Sequence, residues 1–316
     1  MGDIDISVKN FIKINSVFAQ LFSQGVYNGM VRIDPDKLEE LDTAAQEVVQ
    51  SGDDGRLRGL ERLRDVEKIS KIFDGKAAFQ VIMGVEGQTG VHYYMPVRCM
   101  ELDAFSYSYQ CRKISERAKE KKELRKYADG VPKGTKIVPV VTLVFYVGKE
   151  PWDGPMSVYD MLDIPDGMKA WMKYVAPNYR MNLIDVRHLK DEEIDRFEGD
   201  LKAFLLLLKD RFDREKMKSV VAMHKETWYA VSKIKNNKKY MEYIDSVSDE
   251  DLAGGVSMDA AWDYIEEIGK VKGEAKVNKL GLLLEEAGRT NDFMRSLSDM
   301  KLQKQLFVEF GIEQEN

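Results

Sequence analysis

The chain has 316 residues, of which 44% are hydrophobic and 32% are charged, and its formal net charge at pH 7 is −6. This composition is that of a globular protein with enough material for one large domain or two ordinary ones. No stretch approaches the roughly 18 consecutive apolar residues that a membrane span needs, and the acidic start differs from a signal peptide, so we expect a cytoplasmic protein without a membrane partner. Two cysteines and three histidines without zinc-ligand spacing argue against a disulfide framework or a structural zinc site.

The N-terminal part of the chain is predicted to be mainly helical. Apolar residues recur at helical spacing through residues 6–24. Asp34 followed by Pro35 is typical of a helix N-terminus and predicts a short helix over residues 35–41. Residues 42–50 fit either a helix or the first strand of a sheet.

A predicted β-hairpin follows, formed by two apolar runs on either side of an Asp-Gly turn signal at residues 74–75. Asp65 precedes the first run. Glu86 and Gln88 end the second run, on one face of the strand because side chains alternate. One carboxylate from each strand can thus meet at a sheet edge, which is a typical ligand set for Mg²⁺ or Mn²⁺. The alternatives are that Asp65 pairs with a neighbouring arginine and that Glu86 lies where the strand enters solvent.

The rest of the chain divides into two parts by its patterns. Pro96 begins a predicted helix that reaches about residue 126, residues 137–147 predict a strand buried on both faces, and residues 181–187 predict another strand. Beyond residue 190 the pattern is helical throughout. We therefore predict an α/β core at residues 1–190 and a helical C-terminal region at residues 191–316.

Charge is distributed unevenly along the chain. Residues 56–149 carry 19 basic and 11 acidic side chains, whereas the segments before and after them are net acidic. Because a local basic face matters more for docking a polyanion than the overall sign of the charge, this segment favours a DNA partner.

Several phrases in this order carry a resemblance to a known family: Asp65, Glu86-Gly87-Gln88, and residues 91–98, 103–107, 140–148 and 151–155. They resemble the recombination-promoting nuclease / putative transposase family of bacteria, within the PD-(D/E)XK nuclease superfamily, in the variant where glutamine replaces lysine. The likeness extends over residues 8–190.

The resemblance implies a restriction-endonuclease-like α/β fold, a mixed sheet flanked by helices, with residues 42–50 as its first strand. It also implies a metal-dependent DNA endonuclease linked to recombination or to a mobile element. Asp65 and Glu86 would hold Mg²⁺ or Mn²⁺, with the carbonyl of Gly87 as a further ligand. Gln88 would orient the attacking water, since an amide cannot shuttle a proton.

One departure from the superfamily concerns a further acid that these nucleases often draw from the first helix. Residues 6–24 contain no Asp or Glu, so Asp42, or else Glu39 or Glu40, is the candidate third ligand. This departure, together with Gln88, keeps open a second hypothesis, a catalytically inactive nuclease-fold module that binds DNA or protein.

Arg98 lies in the first turn of the helix that follows the hairpin, where the helix dipole disfavours a cation. Two explanations remain open at this stage. Arg98 either contacts a DNA phosphate or forms a salt bridge with Glu101 or Asp103.

The helices after residue 190 have apolar stripes that must be covered by the core, by one another or by a second chain. Because nucleases that cut both strands of a two-fold symmetric duplex often act as dimers, we predict that this region forms a homodimer contact.

Overall fold

The computed structural model describes residues 2–41, 44–50, 57–73, 78–120, 130–209 and 218–312. The chain forms two compact units, Met1–Val256 and Ser257–Asn316. The first helices after residue 190 belong to the first unit. The predicted boundary at residue 190, between an α/β core and a helical C-terminal region, stays a prediction.

The strands, in chain order, are β1 (Glu39–Glu40), β2 (Ala44–Gln50), β3 (Leu57–Leu63), β4 (Val66–Phe73), β5 (Ala78–Gln88), β6 (Val140–Tyr146), β7 (Asn182–Asp185), β8 (Val221–Ala222) and β9 (Val256–Ser257). The main sheet has five strands in the order β1-β4-β5-β6-β7. Its first three strands pair antiparallel, and β5, β6 and β7 run parallel. The predicted mixed α/β sheet is confirmed.

The hairpin of β4 and β5 is confirmed, with Val66 opposite Val85, and the turn signal at residues 74–75 lies outside the described residues. The strand predicted within residues 42–50 is confirmed as β2. The expectation that it is the first strand of the main sheet is wrong, because β2 pairs with β3 in a separate two-stranded sheet.

The helices of the first unit are α1 (Asp3–Lys13), α2 (Asn15–Gln20), α3 (Met95–Glu120), α4 (Asp166–Val175), α5 (Asp191–Ile194), α6 (Gly199–Leu208), α7 (Lys225–Lys235), α8 (Lys239–Ser246) and α9 (Asp249–Ala253). The helix predicted over residues 6–24 is interrupted at Ile14, where ψ is 121°. The buried Lys68 amine donates to the carbonyl of Lys13 at 2.6 Å and thereby satisfies the C-terminus of α1. The helix expected at residues 35–41 is a single 3₁₀ turn, Pro35–Lys37, capped by Asp34.

Strand β6 is buried on both faces, as its apolar sequence predicts. On one face Val144 packs with Met95 and Cys99 of α3. On the other face the ring of Phe145 lies 6.3 Å from that of Phe11 in α1 and 5.8 Å from that of Phe204 in α6. The sheet is therefore flanked by helices on both sides.

The second unit is helical, as predicted for the C-terminal region, and contains α10 (Met258–Glu286), α11 (Thr290–Ser296) and α12 (Met300–Glu309). Its core consists of Leu280, Leu284, Leu306 and Ile312. In the part of the chain that the structure describes, no helix has the length and apolarity needed to cross a bilayer.

Candidate active site

The hairpin brings Asp65 and Glu86 together. Val66 pairs with Val85, so Asp65 and Glu86 lie opposite one another at the next position of the two strands. The backbone N–H of Asp65 donates to Glu86 Oε1 at 3.3 Å, and the N–H of Gly87 donates to Asp65 Oδ2 at 2.9 Å. Each carboxylate is thus held by the backbone of the other strand, which fixes both at one edge of the sheet.

Glu86 is fully buried, with 0% of its surface exposed. The alternative that the strand enters solvent at this point is therefore wrong. Burial and, to a smaller extent, the charge of Asp65 raise the pKa of the Glu86 carboxyl, the Arg98 guanidinium opposes them, and the net result is a pKa of about 7. Burial likewise raises the pKa of Asp65, against the hydrogen bond from Gly87. Two carboxyls that resist ionisation side by side are well suited to share a cation.

Arg98 donates to Glu86 Oε2 from both Nε, at 3.1 Å, and Nη2, at 2.9 Å. The salt bridge expected with Glu101 or Asp103 is therefore not the one that forms. The side chain of Arg98 remains one-third exposed, so it can also reach a solvent-borne group. Arg98 places a positive charge where a metal ion would otherwise neutralise Glu86.

Gln88 lies two residues beyond Glu86 and is half-buried at the end of β5. The parallel register places it in one row with Tyr146 of β6 and Asp185 of β7. Its carbonyl accepts the N–H of Val147 at 2.8 Å, and its side-chain amide has no hydrogen-bond partner among the described residues. The amide therefore remains available for a water or a phosphate oxygen.

Gly87 lies against α1. A Cβ at this position would approach Val8 Cγ1 to 3.1 Å and Asp65 Oδ2 to 3.6 Å. The absence of a side chain lets α1 pack closely over the strand end and keeps the Gly87 N–H directed at Asp65. The role of the Gly87 carbonyl as a metal ligand stays a prediction.

An acid from the first helix is present, although the sequence interpretation missed it. Asp5 lies in the first turn of α1, and the Thr89 hydroxyl donates to its Oδ1 at 3.5 Å. It lies close enough to Asp65 for its charge to raise the Asp65 pKa. The sequence feature that could have indicated Asp5 is the acidic start of the chain, since acidic residues are favoured in the first turn of a helix.

The other candidates for a third ligand are placed differently. Asp42 lies outside the described residues. Glu39 pairs with Ile69, four positions along β4 from Asp65, which corresponds to about 13 Å at the usual rise of a strand. Glu40 forms a salt bridge with Lys13 at 3.3 Å. It pairs with Lys68, three positions along β4 from Asp65 and thus about 10 Å away, so neither Glu39 nor Glu40 lies at the site.

A buried polar network supports the base of the site. Arg64 is 3% exposed and donates from Nη2 to Asp103 Oδ1 at 2.6 Å, so the alternative that Arg64 pairs with Asp65 is wrong. Asp103 also accepts from the hydroxyls of Thr142 and Tyr179. A Cβ at Gly84 would collide with the Arg64 guanidinium, which explains the glycine there. The network ties Arg64, the residue before Asp65, to α3, which carries Arg98.

Metal ligation fits the site in part. No group of three His, Cys, Asp or Glu side chains within the described ranges is arranged to hold a metal ion. Asp65 and Glu86 nevertheless supply two hard carboxylates, and Mg²⁺ commonly binds through one or two protein carboxylates and keeps several waters. The donor set therefore suits Mg²⁺ or Mn²⁺ and not a thiol-binding metal. Burial raises the pKa of the nearby Cys99 thiol to about 12, so Cys99 is a packing residue.

Comparison with known proteins gives one family match, which lies outside this site. Residues 118–239 match the model of the family described as "Putative transposase, YhgA-like". The match covers well under half of the chain. It extends from the end of α3 to the start of α8 and does not include Asp65, Glu86 or Gln88. No curated protein and no solved structure matches the chain.

Proposed function

We propose that this protein is a metal-dependent DNA endonuclease centred on Asp65 and Glu86. The observation that carries the proposal is the pair of carboxylates from neighbouring strands, each held by the other strand's backbone, with Glu86 removed from solvent. Burial of two adjacent acids is costly unless a cation compensates it. A divalent cation would compensate both acids at once.

Each residue of the site has a separate role in this proposal. Asp65 and Glu86 hold the metal ion, with the Gly87 carbonyl as a backbone ligand and Asp5 as the candidate acid from the first helix. A bound Mg²⁺ or Mn²⁺ supplies Lewis-acid polarisation of the phosphate and lowers the pKa of a bound water. The Gln88 amide orients the water or a phosphate oxygen. Arg98 neutralises Glu86 in the metal-free protein and is the candidate contact for a phosphate.

The match to "Putative transposase, YhgA-like" supports a nucleic-acid-acting enzyme with a link to a mobile element. Moving a DNA element requires cleavage of phosphodiester bonds, which is the chemistry proposed for the two acids. The matched segment begins after the two acids, so it supports the link to a mobile element and not the choice of catalytic residues. The choice of Asp65 and Glu86 rests on their geometry.

A binding module that keeps the fold without the chemistry is the second candidate. Three observations favour it: Arg98 already satisfies Glu86, Gln88 stands where related nucleases have lysine, and no three-ligand group occurs in the described residues. Such a module would bind DNA or protein and leave the phosphodiester bond intact.

Nicking of a supercoiled plasmid with Mg²⁺ or Mn²⁺ tests the proposal. We expect Asp65→Asn and Glu86→Gln each to lower the nicking rate by at least about 100-fold, because each removes a charge that stabilises the metal-bound transition state. Glu150→Gln, which changes an exposed acid, is the matched control and should nick as the parent does. DNA binding by the parent without cleavage in either metal would favour the binding module.

A further inference from the structure

Positive charge is concentrated in one short segment of the chain. Residues 112–136 carry ten basic and four acidic side chains, a net charge of +6 in a chain whose total is −6. This charge does not surround the candidate active site. Of the basic residues near the site, Arg64 is buried against Asp103, and Arg98 is bound to Glu86. In the described part of this segment, the basic side chains lie in the C-terminal half of α3 and in the loop of residues 130–139 before β6.

The C-terminal half of α3 and the described part of this loop form one surface. The Val138 N–H donates to Gln110 Oε1 at 2.7 Å, and Gln110 Nε2 donates to the Val138 carbonyl at 3.0 Å, so the loop that carries Lys136 lies along the helix. We call Arg112, Lys113, Arg117, Lys119 and Lys136 the α3 basic surface. All five side chains are exposed.

Most of the charge on this surface is not neutralised by neighbouring acids. Lys113 forms a salt bridge with Glu116 at 3.0 Å. Arg117, Lys119 and Lys136 pair with no carboxylate in the described part of the chain. These three cations are therefore free to meet an external polyanion.

An aromatic ring lies within the same surface. Tyr109 is 48% exposed, and its ring centre lies 5.5 Å from Arg112 Cζ and 5.6 Å from Lys113 Nζ. Cations held against an exposed ring are less free to move, which lowers the entropy lost when they contact phosphates. Basic side chains clustered on one face of a helix are the electrostatic footprint of a nucleic-acid contact.

We infer that duplex DNA bound at the candidate active site runs along α3 and contacts the α3 basic surface. This inference rests on the proposed function, because the DNA path is taken to begin at the candidate active site and to end at the α3 basic surface. Arg98 and Arg117 lie on one helix, and the 1.5 Å rise per residue separates them by about 28 Å. At 3.4 Å per base pair this distance corresponds to about 8 base pairs. A duplex shorter than about 8 base pairs cannot occupy both ends of the path.

The test measures binding of labelled DNA by fluorescence anisotropy in EDTA, so that no cleavage occurs. One ligand is a duplex of about 24 base pairs, and the other is a hairpin with a stem of about 6 base pairs, too short to span the path. The variant is Arg117→Gln/Lys119→Gln/Lys136→Gln. The control is Lys276→Gln/Lys301→Gln/Lys304→Gln, which removes the same charge from the second unit.

We expect the parent to bind the longer duplex at least about tenfold more tightly than the hairpin. The α3 variant should lose most of this advantage, and its slope of log K against log salt should be smaller by about three, one for each lost phosphate contact. The control variant should bind as the parent does.

The inference would be overturned by equal affinity of the parent for both ligands, by unchanged binding of the α3 variant, or by an equal loss in the control. A parent that binds no duplex also overturns it. The plasmid assay judges the proposed function separately, because a protein that nicks DNA through Glu86 and binds normally without the α3 cations keeps the function and loses this contact.

Discussion

The Glu86 carboxylate illustrates how residue-scale forces compete in this protein. Burial and the neighbouring Asp65 disfavour its charge, while the Arg98 guanidinium and the Asp65 N–H favour it. Burial is the largest effect, and the balance of all of them is a pKa raised to about 7. Near neutral pH the site is therefore close to the point where a proton and a cation exchange.

The raised pKa of Glu86 predicts a pH-dependent stability. Between the ordinary pKa of 4.5 and about 7, the folded state holds this proton more tightly than the unfolded state. Stability therefore falls as pH rises through this window, by on the order of 3 kcal/mol in total. Glu86→Gln cannot titrate, so its unfolding free energy relative to the parent should rise by about this amount between pH 4.5 and pH 8.

Urea unfolding of both proteins at the two pH values measures this difference, in the absence of divalent metal. Glu150→Gln is the control and should keep a constant difference from the parent. A parent and a Glu86→Gln variant with the same pH dependence would show that the Glu86 pKa does not differ between the folded and unfolded states.

The contact of Arg98 with Glu86 predicts a competition with metal. Because Arg98 neutralises the oxygen that a metal ion would bind, Arg98→Gln should raise the affinity for Mn²⁺ by about tenfold, equivalent to about 1.4 kcal/mol. Isothermal titration calorimetry measures this affinity without reference to catalysis. Arg117→Gln, on the same helix, is the control. Weaker Mn²⁺ binding by Arg98→Gln would mean that Arg98 supports the metal site and does not compete with it.

At the scale of elements, the site depends on how α1 and α3 pack on opposite faces of the sheet. Helix α1 places Val8 and Asp5 next to the ends of β4 and β5. Helix α3 places Arg98 against Glu86. The ring of Phe11 stacks on that of Phe204 at 4.2 Å and so ties α1 to α6.

Loss of the aromatic packing beneath α1 should destabilise the first unit. Phe145 is fully buried against the stacked rings of Phe11 and Phe204. Phe145→Ala should lower the unfolding free energy by about 3 to 5 kcal/mol, from lost transfer energy and the cavity left behind. Phe79→Ala, which truncates a 44% exposed ring in β5, should cost far less. Chemical unfolding of the two variants compares them, and equal losses would contradict the predicted role of the cluster.

At the scale of the whole molecule, the homodimer stays a prediction. Among the apolar residues of the helices after residue 190, Phe204, Leu205 and Leu208 are buried within the first unit. The second unit keeps apolar side chains more than half exposed, among them Leu282, Met294, Leu297, Met300 and Val308. These side chains, and not those of α6, are the candidates for a contact with a second copy.

Deletion of residues 257–316 tests this prediction at the boundary between the two units. Light scattering should give the mass of a dimer for the full chain and of a monomer for the deletion variant, because the exposed apolar side chains of the second unit are removed. Mn²⁺ binding by the deletion variant should be unchanged, which shows that the first unit remains folded. A full-length chain that is monomeric at micromolar concentration would contradict the dimer.

Local patterns in the sequence were sufficient to predict the strands that carry the two acids. Strand periodicity and a turn signal predicted the hairpin, and the hairpin alone places Asp65 opposite Glu86 because strand pairing is a local consequence of the turn. The apolar run of β6 and the helix start around Pro96 were equally visible, since both depend on residues adjacent in the chain.

Only the tertiary structure decided which partners these residues meet. Helical spacing predicted Glu101 as one candidate for a salt bridge with Arg98. Packing of α3 on the sheet instead places Arg98 against Glu86, twelve residues earlier in the chain. The separate β2–β3 sheet and the approach of Asp5 to Asp65 were likewise beyond local patterns. Periodicity fixes which face of an element is apolar, but the contact between two elements depends on how all of them pack around a common core.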